Sequence, residues 1–200
     1  MHGLINRSLQ CFLRDMYDPQ VWHDVAAAAR APADGFESML QYDDALTHAL
    51  LDAAAQRLDR TPDSLLEDLG TYLVSHPNRA ALRRLLRFGG VGFVDFLHSI
   101  DDLPGRARLA VPDLDLPQIE LCDEGGGRFT LCCRGAQPGF GPVLMGILRA
   151  MADDYGALVM LEDMGRAEGA DRIAIDLLAQ DFAEGKRFEL SQAQAAGGEG

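Results

Sequence analysis

The chain has 200 residues, of which 48% are apolar, and a formal net charge of −13 at pH 7. This length and composition predict one soluble globular domain with a sizeable core. The excess of carboxylates argues against a general nucleic-acid-binding or anionic-membrane surface, because both depend on clustered lysine and arginine. No apolar run approaches about 18 residues and the N-terminus lacks a signal-peptide layout, so we expect a cytoplasmic protein that does not enter a membrane.

The chemically reactive residue types lack catalytic or metal-binding spacing. Cys11, Cys122, Cys132 and Cys133 show no C-x-x-C spacing and no neighbouring histidine set, which argues against a zinc site and a disulfide framework. The motifs of zinc proteases, serine hydrolases and nucleotide-binding loops are also missing from the sequence. We therefore predict no enzymatic activity and no metal site of the usual kinds.

Amphipathic helices fill the first half of the chain. Apolar residues recur at three- and four-residue steps, and Asp18-Pro19 and Thr61-Pro62 are typical helix starts. The predicted helices cover residues 4–16, 19–29, 42–58, 62–76 and 78–88. Gly70 lies inside the fourth helix, where glycine costs about 1 kcal/mol relative to alanine, so we predict that another helix or a ligand packs closely against it.

The fifth predicted helix carries a basic edge. Arg79, Arg83 and Arg87 follow one another at four-residue steps, with Arg84 beside them. Two interpretations are open. The arginines form a docking surface for a signalling protein partner, or they pair with the chain's own carboxylates, which is the commoner arrangement.

A buried helix is predicted from about residue 88 to residue 104. Its apolar face consists of Phe93, Phe96, Leu97, Ile100, Leu103 and Pro104. Position 104 should therefore point into the core. Because proline lacks an amide hydrogen and disfavours helical geometry before it, we expect Pro104-Gly105 to end the helix. Residues 106–116 then form a connection to Pro117.

The second half of the chain alternates like a sheet. Segments 118–122 and 128–133 flank a glycine-rich turn and predict a hairpin, in which Cys122 lies opposite Phe129 and Cys132 opposite Ile119. Cys132 and Cys133 should point to opposite faces. A helix over 139–155, capped by Gly156, and strands over 157–162 and 172–178 complete an α+β plan. We expect one domain over 1–189, helical over 1–105 and mixed over 106–189, and a disordered tail over 190–200.

Four features of the sequence follow one another along the chain. They are the opening MHGLIN, Trp22 about twenty residues later, the frame from Gly70 to Pro104, and Pro138-Gly139 before an apolar helix. Together they resemble the haem nitric oxide/oxygen-binding (H-NOX) family. The resemblance covers roughly residues 1–180. It implies an N-terminal helical half followed by a four-stranded antiparallel sheet with an inserted helix. It also implies a sensor module of the kind found in soluble guanylate cyclase and bacterial signalling proteins.

Two positions depart from the family pattern. The family's iron-binding histidine corresponds to Pro104, and proline cannot ligate iron. The family's Tyr-x-Ser-x-Arg motif, which holds the haem propionates, corresponds to Cys133 through Gln137, and none of its three residues is kept. Haem is the cofactor that the resemblance implies, and these departures favour either no cofactor or a tetrapyrrole bound without the usual ligand.

Three hypotheses follow for the function. The first is an H-NOX-like regulatory protein that has lost haem ligation and acts through protein contacts or a small apolar ligand. The second is a haem-based gas sensor that uses Cys133 or His98, although the helical periodicity places His98 toward solvent. The third is a structural interaction protein with a filled core. The residues that we expect to line a pocket are Leu4, Ile5, Tyr72, Leu73, Phe96, Ile100, Pro104, Pro117, Cys133 and Leu144.

Overall fold

A computed structural model describes residues 1–32, 34–135 and 139–186. The helices are α1 Gly3–Met16, α2 Pro19–Ala28, α3 Asp44–Leu58, α4 Pro62–Ser75, α5 Ala80–Arg87, α6 Phe93–His98, α7 Leu103–Ala110 and α8 Phe140–Tyr155. The strands are β1 Gln118–Gly125, β2 Arg128–Arg134, β3 Leu158–Ala167 and β4 Ala170–Ala179. The α+β prediction is confirmed, whereas the predicted tail over 190–200 lies outside the described residues. No helix in the described ranges has the length and apolarity needed to span a membrane.

The predicted helix starts form as expected. Asp18 accepts a hydrogen bond from the Gln20 amide, and the Thr61 hydroxyl accepts one from the Ser64 amide. In both cases proline occupies the first turn of the helix, where its missing amide hydrogen costs nothing. Local chemistry alone therefore sets the beginnings of α2 and α4.

Pro104 begins a helix, so the prediction that it ends one is wrong. Helix α6 ends at His98, a 3₁₀ turn covers Ile100–Asp102, and Pro104 lies in the first turn of α7. The physical reason is the one that applies to Pro19 and Pro62, since a proline suits a first turn as well as it interrupts a helix. The predicted burial of Pro104 is confirmed, and residues 106–110 of the expected connection are helical.

The four strands form an antiparallel sheet in the order β1-β2-β4-β3. The predicted hairpin register is wrong by one residue, because an irregularity between Asp123 and Gly125 shifts the pairing. As a result, Cys122 lies opposite Thr130, and Ile119 lies opposite Cys133. The expected opposite orientation of the adjacent cysteines is confirmed, because Cys133 is buried and Cys132 is partly exposed.

Two apolar clusters make up the core. One joins α1 to α4 and includes Leu13, Leu50 and Leu65, while the other lies between α8 and the sheet and includes Leu148 and Leu131. Helices α4 and α8 connect the two clusters by direct packing.

Glycines allow this crossing of α4 and α8. A Cβ atom on Gly70 would clash with the carbonyl oxygen of Val143, and one on Gly146 would clash with that of Glu67. The Thr71 hydroxyl donates to the Gly146 carbonyl oxygen at 3.3 Å. The predicted close packing at Gly70 is therefore confirmed, and the neighbour is a helix.

Candidate ligand cavity

An apolar cavity of about 230 Å³ lies beside the α4–α8 crossing. Helices α1, α4, α5, α7 and α8, the segment after α7 and the start of β1 all contribute to its wall. Among the described residues of that wall, Ser8 has the one polar side chain, and its hydroxyl donates to the Leu4 carbonyl oxygen at 2.8 Å. The wall therefore offers an apolar ligand van der Waals contact and almost no competing polar surface.

The structure brings five of the ten expected pocket residues to this wall. They are Leu4, Ile5, Leu73, Pro117 and Leu144. Leu4 and Ile5 lie on α1, Leu73 on α4 and Leu144 on α8, so separate elements converge on one space. The other five lie elsewhere in the core.

Tyr72 belongs to the cluster of α1 to α4. Its hydroxyl donates to Asp15 Oδ2 at 2.5 Å and accepts from Arg79 Nε at 3.2 Å. Burial, with a smaller contribution from the hydrogen bond to Asp15, raises the Tyr72 pKa to about 12. Tyr72 therefore ties α4 to the end of α1 and does not contact the cavity.

Phe96, Ile100 and Cys133 are buried in the cluster between α8 and the sheet. Pro104 is buried too, yet it is the neighbouring Leu103 that reaches the cavity wall. Burial, and next the nearby Asp171 carboxylate, raises the Cys133 pKa to about 12. The thiol is therefore protonated at neutral pH, whereas iron is bound by the thiolate.

Twelve wall residues were not among the expected ones. They are Ser8, Leu69, Leu82, Leu85, Leu103, Ala107, Leu114, Leu116, Ile119, Phe140, Val143 and Ile147. Leu82 and Leu85 lie three residues apart, a spacing that places them on one face of α5. Helical periodicity could therefore identify them as buried, but it carried no signal for which interior space they border.

Histidines are missing from the cavity wall, although all five lie in the described ranges. His98 is exposed as expected, with Nε2 at 3.7 Å from Asp123 Oδ2 and its ring edge-on to Phe129. Within the described ranges, no group of three or more histidine, cysteine, aspartate or glutamate side chains is arranged to hold a metal ion.

The arginine edge makes mostly intramolecular contacts. Arg83 donates to the buried carboxylate of Asp154 at 2.8 Å, and Arg87 lies 3.6 Å from the same carboxylate and 4.0 Å over the Tyr155 ring. Arg79 contacts Tyr72, as described above. The contacts thus favour the second of the two interpretations for these three arginines, while Arg84 is exposed.

The Haem-NO-binding family model matches residues 2–162. The chain belongs to this family. Among curated proteins, it is similar to soluble guanylate cyclase gcy-31 of Caenorhabditis elegans, with 24% identity over 154 residues, covering 77% of this chain and 22% of that protein. It is also similar to soluble guanylate cyclase 89Db of Drosophila melanogaster, with 22% identity over 160 residues, covering 80% and 24%. The chain thus spans less than a quarter of the length of these relatives.

Solved H-NOX structures share the fold of this Haem-NO-binding domain. A mutant H-NOX protein from S. oneidensis in the Fe(II) ligation state matches with a TM-score of 0.76 and 18% identity, over 90% of this chain and 97% of that one. Fe(II) unliganded H-NOX protein from K. algicida matches with a TM-score of 0.73 and 16% identity, over 94% and 100%. The predicted family and fold are therefore confirmed.

The family implies haem, but this cavity does not fit a haem bound through its iron. Iron in haem proteins is held by histidine, cysteine, methionine or tyrosine. None of these residue types is among the described residues that form the wall. The cavity volume of about 230 Å³ also falls below the range of about 300–1,000 Å³ that is usual for small-molecule sites.

Proposed function

We propose that this member of the Haem-NO-binding family is a haem-independent sensory or regulatory domain whose cavity binds a small apolar ligand. The observation that carries the proposal is a wall of aliphatic and aromatic side chains in which, within the described ranges, Ser8 is the one polar member. Pro104 at the family's iron-ligand position supports it. A signalling protein partner that binds the domain stays a prediction, as does the cytoplasmic location.

Burial of apolar surface is the driving force available to such a ligand. Each Å² of apolar surface removed from water contributes roughly 25 cal/mol, and an apolar cavity that excludes water takes up apolar molecules without displacing hydrogen-bonded solvent. The Ser8 hydroxyl already donates to a backbone carbonyl, so it adds no desolvation cost. Shape and size therefore dominate the expected selectivity.

An absorption spectrum tests the haem-independent part. The full chain is purified from cells supplied with a haem precursor, and its spectrum is recorded before and after reduction and addition of nitric oxide. We expect a folded protein without a stoichiometric Soret band. A stoichiometric band that shifts with nitric oxide would overturn the proposal, and its loss in His98→Ala or Cys133→Ala would support the gas-sensor hypothesis.

Fluorescence of N-phenyl-1-naphthylamine tests the ligand-binding part. Ala107 lies in the wall, whereas Leu109 on the same helix is 88% exposed. We expect the dye to bind the wild type and Leu109→Phe equally, and to lose affinity about tenfold or more for Ala107→Phe because the new ring fills the space. Circular dichroism checks that both variants fold. Equal binding by the two variants would contradict a ligand cavity at this place.

A further inference from the structure

A second pocket, of about 270 Å³, adjoins the apolar cavity. The two share three wall residues, Leu116, Pro117 and Phe140. The cavity and the second pocket therefore lie on either side of the same three side chains. We call the second pocket the arginine mouth, after Arg108 and Arg134 in its wall.

The arginine mouth is polar where the cavity is apolar. Arg108 projects from α7 and is exposed, with no hydrogen bond or ion pair to the described residues. Arg134 at the end of β2 lies 3.6 Å from Glu120 Oε2, but both side chains are about half exposed, and such pairs contribute little. Asp115 and Gln118 complete the polar wall. Two cations thus stand beside two carboxylates, Asp115 and Glu120, and among the described residues Arg108 is the cation of this pocket without an ion pair.

A third pocket that also borders Phe140 is acidic. Its volume is about 190 Å³, and its wall contains Asp44, Asp113 and Asp115 together with His2 and Met1, whose terminal ammonium pairs with Asp44. Carboxylates therefore outnumber cations in this third pocket, whereas the two charges balance at the arginine mouth. This asymmetry steers an anionic group toward the arginine mouth and repels it from the acidic pocket.

We propose that the cavity and the arginine mouth together bind a single-chain amphiphile with an anionic headgroup. This inference rests on the proposed function. The alkyl chain occupies the apolar cavity, and the headgroup lies between Arg108 and Arg134, whose planar guanidinium groups match carboxylate and phosphate oxygens in paired hydrogen bonds. A neutral ligand would leave Arg108 without an ion pair to the described residues, and a cationic one would be repelled by it.

Displacement of N-phenyl-1-naphthylamine from the full chain tests the headgroup. The competitors are decanoate, decyl phosphate and decanol, which share one alkyl chain. We expect both anions to bind about tenfold to a hundredfold more tightly than decanol, since hydrogen bonds to charged groups are the strong ones. In a series from hexanoate to decanoate, affinity should rise about fourfold per methylene while the chain still enters the cavity.

Substitution of the two arginines locates the headgroup. In the Arg108→Gln/Arg134→Gln double variant, decanoate should lose that tenfold to hundredfold advantage while decanol binds as before. Arg128→Gln is the matched control, because Arg128 is exposed at the other end of β2. Preference for decyl phosphate over decanoate would identify a phosphate headgroup, and the reverse a carboxylate, and both outcomes support the inference.

The outcomes separate the two proposals. If decanol displaces the dye and Ala107→Phe blocks it, but decanoate binds no better than decanol, the apolar cavity stands and the anionic headgroup is overturned. The headgroup is likewise overturned if decanoate binds the double variant as tightly as the wild type. If no competitor displaces the dye, or if haem copurifies at stoichiometry, the proposed function itself fails.

Discussion

Helices α4 and α8 meet in two different ways within a few residues. At Gly70 and Gly146 their backbones touch and leave no room for a methyl group. Leu73, one turn after Gly70, and Leu144, two residues before Gly146, border an open space of about 230 Å³. Glycine permits the close approach of the two backbones. The contact then holds the cavity-lining parts of α4 and α8 in place, because close-packed interiors resist collapse.

The same two helices therefore form both a close backbone contact and part of a cavity wall. The glycine contact fixes the distance between the helix axes, and larger neighbouring side chains such as Leu73 and Leu144 line the space shared with α1, α5 and α7. Substitutions in the two regions should therefore differ in their effect on stability.

Removal of the Asp154 carboxylate should have the largest effect, because it holds the cavity-lining helix α5 against the end of α8. Asp154 is 1% exposed and accepts from Arg83. We expect Asp154→Ala to lower the free energy of unfolding by about 3–5 kcal/mol, since the arginines lose a buried partner. Urea denaturation measures this change in the free energy of unfolding. The neighbouring exposed Asp153→Ala should change stability by less than about 0.5 kcal/mol, and equal effects would contradict the role of the ion pairs.

Substitution at the crossing tests the close contact between α4 and α8. Gly70→Ala and Gly146→Ala place a methyl group against backbone atoms, which cannot move aside cheaply, and should each lower the free energy of unfolding by about 1–3 kcal/mol. Gly105 is the control, since a Cβ atom there meets nothing within 4 Å. Because Gly105 lies inside α7, Gly105→Ala should stabilise the protein by about 0.5–1 kcal/mol. Thermal unfolding of the three variants measures these changes in stability. A destabilised Gly105→Ala variant or an unchanged Gly70→Ala variant would contradict the close contact at the crossing.

Truncation of two leucines on α8 compares packed with open surroundings. Leu148 is fully buried between α8 and the sheet, whereas Leu144, one turn earlier, borders the cavity. Leu148→Ala should cost about 2–5 kcal/mol. Leu144→Ala should cost about 1–2 kcal/mol less, because part of its surface already lacks contact partners. Equal losses in guanidinium denaturation would mean that the cavity closes in solution.

The smallest effect concerns the buried thiol on the sheet side. Burial raises the Cys133 pKa from 9.0 to about 12, so the unfolded chain loses this proton first as the pH rises. The thiol's contribution to stability is present below pH 9 and is lost between pH 9 and 12, by about 1 kcal/mol from pH 9 to 10. Denaturation at both pH values should show a shallower decline for Cys133→Ala than for the wild type. Cys122→Ala, at an exposed position, should keep the wild-type decline.

Local chemistry predicted most of the helices but failed at two turns. Thr61 and Pro62 carry their own start signal, so α4 begins where expected. Pro104 carries the same chemistry, but a proline signals both a helix end and a helix start, and only the packing of α7 decides between them. The predicted hairpin register was wrong because one extra residue near Glu124 shifts every pair. The alternation of apolar and polar residues alone does not reveal such an insertion.

The candidate site was predicted in part, for a similar reason. Leu73 and Leu144 were expected in a pocket wall and lie there, while Phe96 and Ile100 have equally apolar, helix-periodic surroundings and lie in the packed core. Periodicity shows which face of a helix is buried. It does not show whether the opposing space is filled.

Residue type and short-range spacing were sufficient to predict the family, the α+β plan and most helix boundaries. The packing of the folded chain was needed to locate the cavity, to show that Arg83 and Arg87 contact Asp154, and to place Arg108 and Arg134 in the wall of one pocket. Those facts join residues far apart in the chain, and their positions follow from how whole elements pack.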